Sequence, residues 1–480
     1  MADTQSSHSR PAGVLQPLRS EDDFELEVVG RIPDALAGAY YRNGANPQFD
    51  PDGPYFPFLG DGMIHAFFLE PNKNGGRAFG GVGRVAPDND DRGRARYRNR
   101  WVRTPKWHAE NQAGRLLWRG FGTPPDSSAA GIEPVAANIH IVHHAGKLLA
   151  LAEHGEPFEL DPRGLESGAF LSTGGKRTAH PKFDPQTGEM LWFAYFAGPE
   201  PLSNFIDYGV TNQAGEVTRR DRFAAPYASM VHDFMVTRNY VLFPVMPLTG
   251  DRARARKGLP PLAWESAKGG FIGVMKRSAS VDSIRWFEIE PRFFLHSMNA
   301  WEEGEKIHCE VTEFPRPPFF PNADGSPAGE VQGRLTRWTI DLAANTNQAR
   351  REEIDDLNSE MPRVDDRFAG RPYRHGWYMA NINCQYPMMH DAIAHIDLAT
   401  GRRAVRTLAP GDAAGEPVFV PRSPGAAEGD GYIITLVYCA ASDTSELSIL
   451  EAQDIAGEPV AVLKLPRPVP AGAHGSFVPA

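Results

Sequence analysis

The chain has 480 residues, of which 41% are hydrophobic and 23% charged, and it carries a formal net charge of -10. This composition supplies a large buried core and excludes a nucleic-acid-tracking surface, which would concentrate Lys and Arg. No Ser/Gly-rich linker or block of like charge cuts the sequence, so residues 23–480 read as a single domain behind a poorly ordered polar arm over residues 1–22.

Order begins with an alternating run at residues 24–30, FELEVVG, and continues through Ala39-Tyr40-Tyr41-Arg42-Asn43-Gly44, a strand that ends in a glycine turn. In residues 58–68 two glycines frame Asp61 ahead of a further strand. That strand holds His65, which by residue type is a metal ligand and by setting is a core residue filling a strand face. From Trp101 onward short apolar runs alternate with Gly, Pro, Asn and Asp, and no long window shows the 3.6-residue period of a helix. A strand that ends in Asp and turns into the next strand recurs at Asp161, Asp184, Asp341 and Asp397. Hairpins repeated over so long a chain point to an all-β fold, a β-propeller in preference to a large sandwich or jelly roll. The repeat is too faint to count blades.

The opening residues lack the apolar core of a secretory signal, and the longest apolar run, residues 432–441, is far short of the roughly 20 residues of a membrane span. The three cysteines, Cys309, Cys384 and Cys439, are too scattered for a CxxC site and too few for a disulfide framework. A soluble, cytoplasmic protein is expected, one able to rest on a membrane.

Four histidines share one setting, at the mouth of a strand-like apolar run. His180 opens AHPKFDPQTGEMLWFAY, a hairpin signal with its turn at residues 184–188. His232 lies in MVHDF, His296 in FLHSM and His474 in AHGSF. Residues so distant in sequence can share one metal only if many strands converge on a common point, as the inner strands of a propeller do. Neutral imidazole suits Fe, Zn, Cu and Ni alike, so the histidines alone leave the metal open. Metal-bound histidines usually donate their second ring N–H to a carboxylate or carbonyl. Glu153 after LLALA, Glu360 in SEMPR and Glu416 in EPVFV are the carboxylates in apolar strand settings.

The strings GDGMIHAFF, TAHPKFDPQTGEMLWF, MVHDFMVTRNYVLFP, FLHSMNAWEEG, GEPVFVPRSPGAAEGDGYIITLVY and the terminal HGSF resemble the carotenoid cleavage oxygenase family, from about Asp23 to the C-terminus. The resemblance implies a seven-bladed β-propeller with loops and short helices capping its metal-bearing face. It implies one Fe(II) held by His180, His232, His296 and His474, and behind them Glu153 paired with His232, Glu360 with His296 and Glu416 with His474. It also implies the reaction, cleavage of a C=C bond by O₂ into two carbonyl products.

Family members divide between long polyenes and phenolic stilbenes or phenylpropenes. Relatives that cleave the phenols use a tyrosine and a lysine to engage and ionise the substrate, and those positions fall near Gly120 and on Ala152 here. The string Arg119-Gly120-Phe121-Gly122-Thr123 is similar to the carotenoid-cleaving branch, whereas AHPKFDPQTGEML and VPRSPGAAEGDGY are similar to the phenylpropene branch as well. A carotenoid or apocarotenoid is the expected substrate, with a stilbene or phenylpropene as the alternative. A polyene drawn from a membrane calls for an apolar entrance, for which residues 259–264 and 314–320 are candidates. Two readings from other classes remain, a noncatalytic propeller scaffold and a zinc or calcium hydrolase. The carboxylate-poor histidine set weighs against calcium.

Overall fold

The computed structural model describes residues 13–51, 57–72, 91–120, 125–171, 175–384 and 389–480. Among these, seven antiparallel sheets radiate from a common axis. Numbering them by first full hairpin, blade 1 is built on Gly38–Asn46, Asp61–Glu70 and Arg94–Trp101, and blade 2 runs from His140–His144 to Ser167–Phe170. Blade 3 starts at Lys182–Phe183, blade 4 at Met235–Val236, blade 5 at Phe293–Glu303, blade 6 at Asn358–Val364 and blade 7 at Val418–Pro421. Both ends of the chain close the ring. The C-terminal strand Gly475–Pro479 is the innermost strand of blade 1, paired with Gly38–Asn46, while Glu27–Gly30 adds an outer strand to blade 7 against Ala461–Leu465.

The core lies between blades. Tyr40 and Phe67 of blade 1 pack on Ile434 and Leu447 of blade 7, and Tyr41 and Ala66 of the same blade 1 strands pack on Ile141 and Leu148 of blade 2. Further round, Phe193 and Tyr208 of blade 3 meet Val241 and Phe243 of blade 4, and Ile272 and Phe287 of blade 4 meet Ile307 and Trp338 of blade 5. Each blade thus buries both faces.

The recurrent aspartates close turns as their setting predicts. Asp161 Oδ1 accepts the N–H of Arg163, Asp184 that of Gln186, Asp341 that of Ala343 and Asp397 that of Ala399. Gly188 completes the Asp184 turn at φ +68°, a left-handed conformation that a Cβ disfavours. The resulting hairpin pairs Lys182–Phe183 with Met190–Leu191, directly after His180.

His65 belongs to the core of blade 1. Its Nδ1 lies 2.7 Å from the Tyr97 hydroxyl, and burial pushes its pKa down to about 3. Residues 13–22, grouped with the N-terminal arm at the sequence level, lie against the body: Val14 is buried, Leu18 N–H donates to Asn46 Oδ1 at 3.0 Å, and Trp101 N–H donates to Glu21 Oε1 at 2.9 Å. Polar bonds and a single buried side chain seat this segment, so hydrophobic periodicity carries no trace of it.

Two α-helices occur among the described residues, Pro105–Ala113 and Arg252–Arg256. The first lies in the long connection between blades 1 and 2. Thr104 caps it by accepting Trp107 N–H, Pro105 opens it and Gly114 ends it at φ +65°. Its inward face is charged: Lys106 Nζ sits 2.9 Å from Asp61 Oδ1 and 2.7 Å from Glu110 Oε2, all three side chains being at most 1% exposed.

Candidate metal centre

Every blade delivers one side chain to the axis. His474 immediately precedes the inner strand of blade 1, His180 precedes that of blade 3 and His232 stands just ahead of that of blade 4. His296 lies within the inner strand of blade 5, where the register shifts between Phe294 and Ser297. Blade 2 supplies Glu153 just beyond Lys147–Leu151, blade 6 supplies Glu360 at a second register shift, and blade 7 supplies Glu416 ahead of Val418–Pro421. Bulges of this kind re-aim a side chain. At Glu360 the device is explicit, since Met361 takes φ +50° and gives its N–H to Glu360 Oε2.

The four imidazoles meet. His474 Nε2 and His232 Nε2 lie 3.1 and 3.4 Å from His296 Nε2, and the His180 ring centre is 4.3, 4.9 and 5.2 Å from those of His232, His474 and His296. The ligand atoms of His180, His296 and His474 fall within 4.8 Å of one another, as do those of Glu153, His180 and His232. Behind them each carboxylate lies against one histidine: Glu360 Oε2 is 2.5 Å from His296 Nδ1, Glu416 Oε1 is 2.8 Å from His474 Nδ1, and Glu153 Oε2 is 2.9 Å from His232 Nδ1. With Nδ1 turned to a carboxylate, each of those three rings presents Nε2 to the centre.

Each carboxylate is itself held differently. Glu153 Oε1 accepts the Tyr195 hydroxyl at 2.8 Å. Glu416 accepts Gly475 N–H at 2.9 Å and the Arg363 guanidinium at 3.2 Å. Burial alone would raise the Glu416 pKa, but Arg363 and His474 hold it below the usual carboxylate range. Burial, reinforced by His232, His474, His296 and Lys182, keeps the His180 pKa well below that of free imidazole. His474 is also lowered by burial, in spite of Glu416, whereas at His232 burial is outweighed by the carboxylates of Glu153, Asp233 and Glu360 together, which raise it.

These residues fit a transition metal. His180 Nε2 is buried without a hydrogen-bond partner, and the inward set is four imidazole nitrogens with the negative charge set one step back. An oxygen-seeking cation such as calcium has no such preference.

The sequence also holds residues whose part shows only in three dimensions. Lys182, Asp233 and Ser297 each follow a histidine of the set by one or two positions and bond to one another. His140 packs against His474 with ring centres 5.0 Å apart and donates from Nδ1 to Ala179 O. A cavity of about 950 Å³ borders His180, His296 and His474 on the side of Lys182, Asp233 and Arg363. Ala152 is buried beside Glu153, and residues 121–123 of the string quoted for the carotenoid branch lie outside the described residues. In the candidate entrance segments, Leu262 and Ala263 are buried in a short hairpin, Phe314 is buried, Phe319 packs on Phe58, and Leu259 is exposed.

The chain matches the family described as retinal pigment epithelial membrane protein over residues 15–479. It belongs to the carotenoid cleavage oxygenase family. It is 37% identical to isoeugenol monooxygenase of Pseudomonas nitroreducens, covering 97% of each chain. Identity is 34% to lignostilbene-alpha,beta-dioxygenase isozyme III of Sphingomonas paucimobilis, over 98% of this chain and 96% of that one. Against the carotenoid cleavage oxygenase of Mycobacterium tuberculosis it is 30%, over 97% of each. Among solved structures, the lignostilbene dioxygenase of Pseudomonas brassicacearum superposes with a TM-score of 0.88 at 31% identity and 98% coverage of both chains. Cobalt-substituted apocarotenoid oxygenase of Synechocystis gives 0.82 at 30% identity, covering 97% of this chain and 98% of that one. The protein is accordingly an oxidoreductase of the carotenoid-cleavage type, in a family of oxygenases acting on carotenoids, apocarotenoids and stilbenes. No helix among the described residues is long and apolar enough to cross a membrane.

Proposed function

We propose that this carotenoid cleavage oxygenase family member binds one Fe(II) through His180, His232, His296 and His474 and uses O₂ to split a C=C bond of a conjugated alkene into two carbonyl products. The observation that carries the reading is the meeting of these four imidazoles on the propeller axis with Glu153, Glu360 and Glu416 behind three of them. When bound, the iron supplies the site for O₂ and the electrons that activate it. The protein's part is electrostatic and geometric. Glu360 and Glu416 hold the Nδ1 protons of His296 and His474, which fixes the tautomer that turns Nε2 inward. Both oxygen atoms of O₂ go to the two new carbonyls, so the balance needs no acid–base triad. A cytoplasmic location, with Cys309, Cys384 and Cys439 outside any disulfide, belongs to the same reading.

Glutamate-to-glutamine changes separate the supports. Loss of such a partner weakens metal affinity or activity about 10–100-fold, and each of Glu153→Gln, Glu360→Gln and Glu416→Gln is expected in that range, impaired and still active. Glu416→Gln should also lower the unfolding temperature, because it removes the nearest counter-charge of half-buried Arg363 and leaves it without the buried carboxylate it faces. Glu153, whose side chain is 22% exposed, should show the metal effect without that cost. Metal titration and thermal unfolding of the three variants check this, and three equal losses of stability would refute the distinction.

For the substrate, whole-length similarity favours an aromatic alkene, a phenylpropene or stilbene, since identity is higher to isoeugenol and lignostilbene enzymes than to the carotenoid enzyme compared above. Gly120 and Ala152 favour the second reading, an apocarotenoid, because neither can ionise a phenol. The aromatic reading can hold without a phenolate only if the hydroxyl is dispensable. A stabiliser aimed at developing charge is typically worth about 10²–10³ in rate, so a 4-hydroxystilbene and its 4-methoxy analogue are expected to react within ~10-fold of each other here. Aerobic incubation of Fe(II)-loaded protein with isoeugenol, both stilbenes and an apocarotenal, with aldehydes read by mass spectrometry, decides it. Faster cleavage of the apocarotenal than of every aromatic alkene would establish the polyene reading instead.

A further inference from the structure

Three of the four histidines stand on chain segments that no backbone ladder joins. His180, His232 and His296 enter the axis on blades 3, 4 and 5, and the inner strands of these blades belong to three separate sheets. A metal held by Nε2 atoms a few ångströms apart needs those segments fixed relative to one another, because small misplacements of a ligating atom are felt directly in affinity.

One cluster of side chains ties all three. Lys182 Nζ lies 2.8 Å from Asp233 Oδ1 and 2.9 Å from Oδ2, and it donates to Ser297 Oγ at 3.1 Å. Asp233 Oδ2 in turn accepts the Ser297 hydroxyl at 2.6 Å and the Ser297 N–H at 2.9 Å, and Oδ1 accepts Phe234 N–H at 2.8 Å. Lys182 follows His180 by two residues, while Asp233 and Ser297 directly follow His232 and His296. The Asp233 side chain is 2% exposed and that of Lys182 is 27% exposed, and both border the axial cavity. A buried carboxylate with this many donors has one low-energy arrangement, so the three backbones are locked with it. The fourth histidine is outside the cluster and has its own tie through Glu416, which accepts Gly475 N–H, and Arg363, which reaches Glu416 Oε1.

We propose that Lys182, acting through Asp233 and Ser297, is the positioning residue that sets His180, His232 and His296 at one metal-binding spacing. The proposal rests on the reading of those histidines as metal ligands. It makes the Lys182–Asp233 ion pair part of metal affinity, with no contact to metal or substrate required of Lys182.

The test uses the full chain, purified metal-free and titrated with Co(II) against a competing chelator. Wild type is compared with Lys182→Met, Lys182→Arg, Ser297→Ala and the double variant Lys182→Met/Asp233→Asn, which leaves no unpaired buried charge and so keeps the test meaningful if Lys182→Met folds poorly. The dissociation constant, the visible spectrum of bound Co(II) and the unfolding midpoint of the metal-free protein are read for each. Lys182→Met and the double variant should bind Co(II) about 10–100-fold more weakly, with an altered spectrum. Lys182→Arg, which keeps the charge and the donors, should recover most of the loss, and Ser297→Ala should lie between. A purely structural role would lower the midpoint and leave the dissociation constant of the folded protein unchanged, and that result overturns the proposal. So does a double variant with wild-type affinity and spectrum. If wild type itself takes up no Co(II), the ligand reading falls first and this inference with it.

Discussion

Replacing any one of His180, His232, His296 or His474 by alanine is expected to remove bound iron and turnover together, down to background. The four Nε2 positions form one closely spaced set, with His296 within 3.4 Å of both His232 and His474 and the His180 ring against all three. Among the described residues, no further imidazole belongs to the groups of side chains able to share an ion. His140, the nearest candidate, has its Nδ1 bound to Ala179 O and lies outside the groups of side chains able to share an ion. The carboxylates are likewise committed, each to a histidine and to a second donor. Three remaining imidazoles would hold a divalent metal more weakly, so metal retention and turnover are expected to fall together. Metal analysis of each purified variant, beside aldehyde formation on the best substrate, measures both. Full iron occupancy in any single variant would take that residue out of the ligand set. Chelator treatment of wild type should reproduce the loss, and Fe(II), but not Zn(II), should restore activity.

The axial site was largely legible in the sequence because each member is bound to a short apolar strand start, and the strings around His180, His232, His296 and His474 are specific to one family. The three glutamates and their partners followed from the same strings. The blades were not countable for a physical reason. Each sheet packs on a neighbour on both sides, so Met190–Ala194 is buried at every position and Gly38–Asn46 at nearly every one. Strands of that kind read as continuous apolar runs without the alternation that marks a half-buried strand. Charge ties were hidden for a different reason. Lys182 and Asp233 look like ordinary polar punctuation after a histidine until three blades bring them together, and Tyr195 looks like the end of a core strand until its hydroxyl meets Glu153. His65 shows the converse. A histidine beside glycines and strand residues had the right type, and a hydroxyl within its own blade satisfies it.

The largest stability effect is expected away from the axis, at Lys106. Its ammonium bonds to two buried carboxylates, Asp61 and Glu110, and it lies 5.7 Å from the Trp118 ring centre. Asp61 opens the second strand of blade 1, and Glu110 Oε1 accepts Leu117 N–H, so this cluster fastens the helix Pro105–Ala113 to the propeller. Lys106→Met keeps most of the volume and leaves two carboxylates facing each other out of water. Breaking a buried ion pair from one side costs about 3–5 kcal/mol, which places this variant well beyond an ordinary substitution. The pH dependence has a definite sign. Burial, then Asp61, already raise the pKa of Glu110 in the folded protein against the pull of Lys106, and the variant removes that pull. A carboxyl whose folded pKa is raised binds its proton more readily folded than unfolded. The resulting destabilisation is therefore absent below the unfolded pKa and grows as pH rises to the folded one. The stability gap between wild type and Lys106→Met should then be widest near neutral pH and above and should narrow as the solution is acidified. Adding Glu110→Gln to Lys106→Met removes one of the two opposed charges, and it should recover part of the loss at neutral pH. Denaturant unfolding of the three proteins at several pH values measures this, and a gap that stays constant or widens on acidification would show that Lys106 stabilises the fold by packing alone.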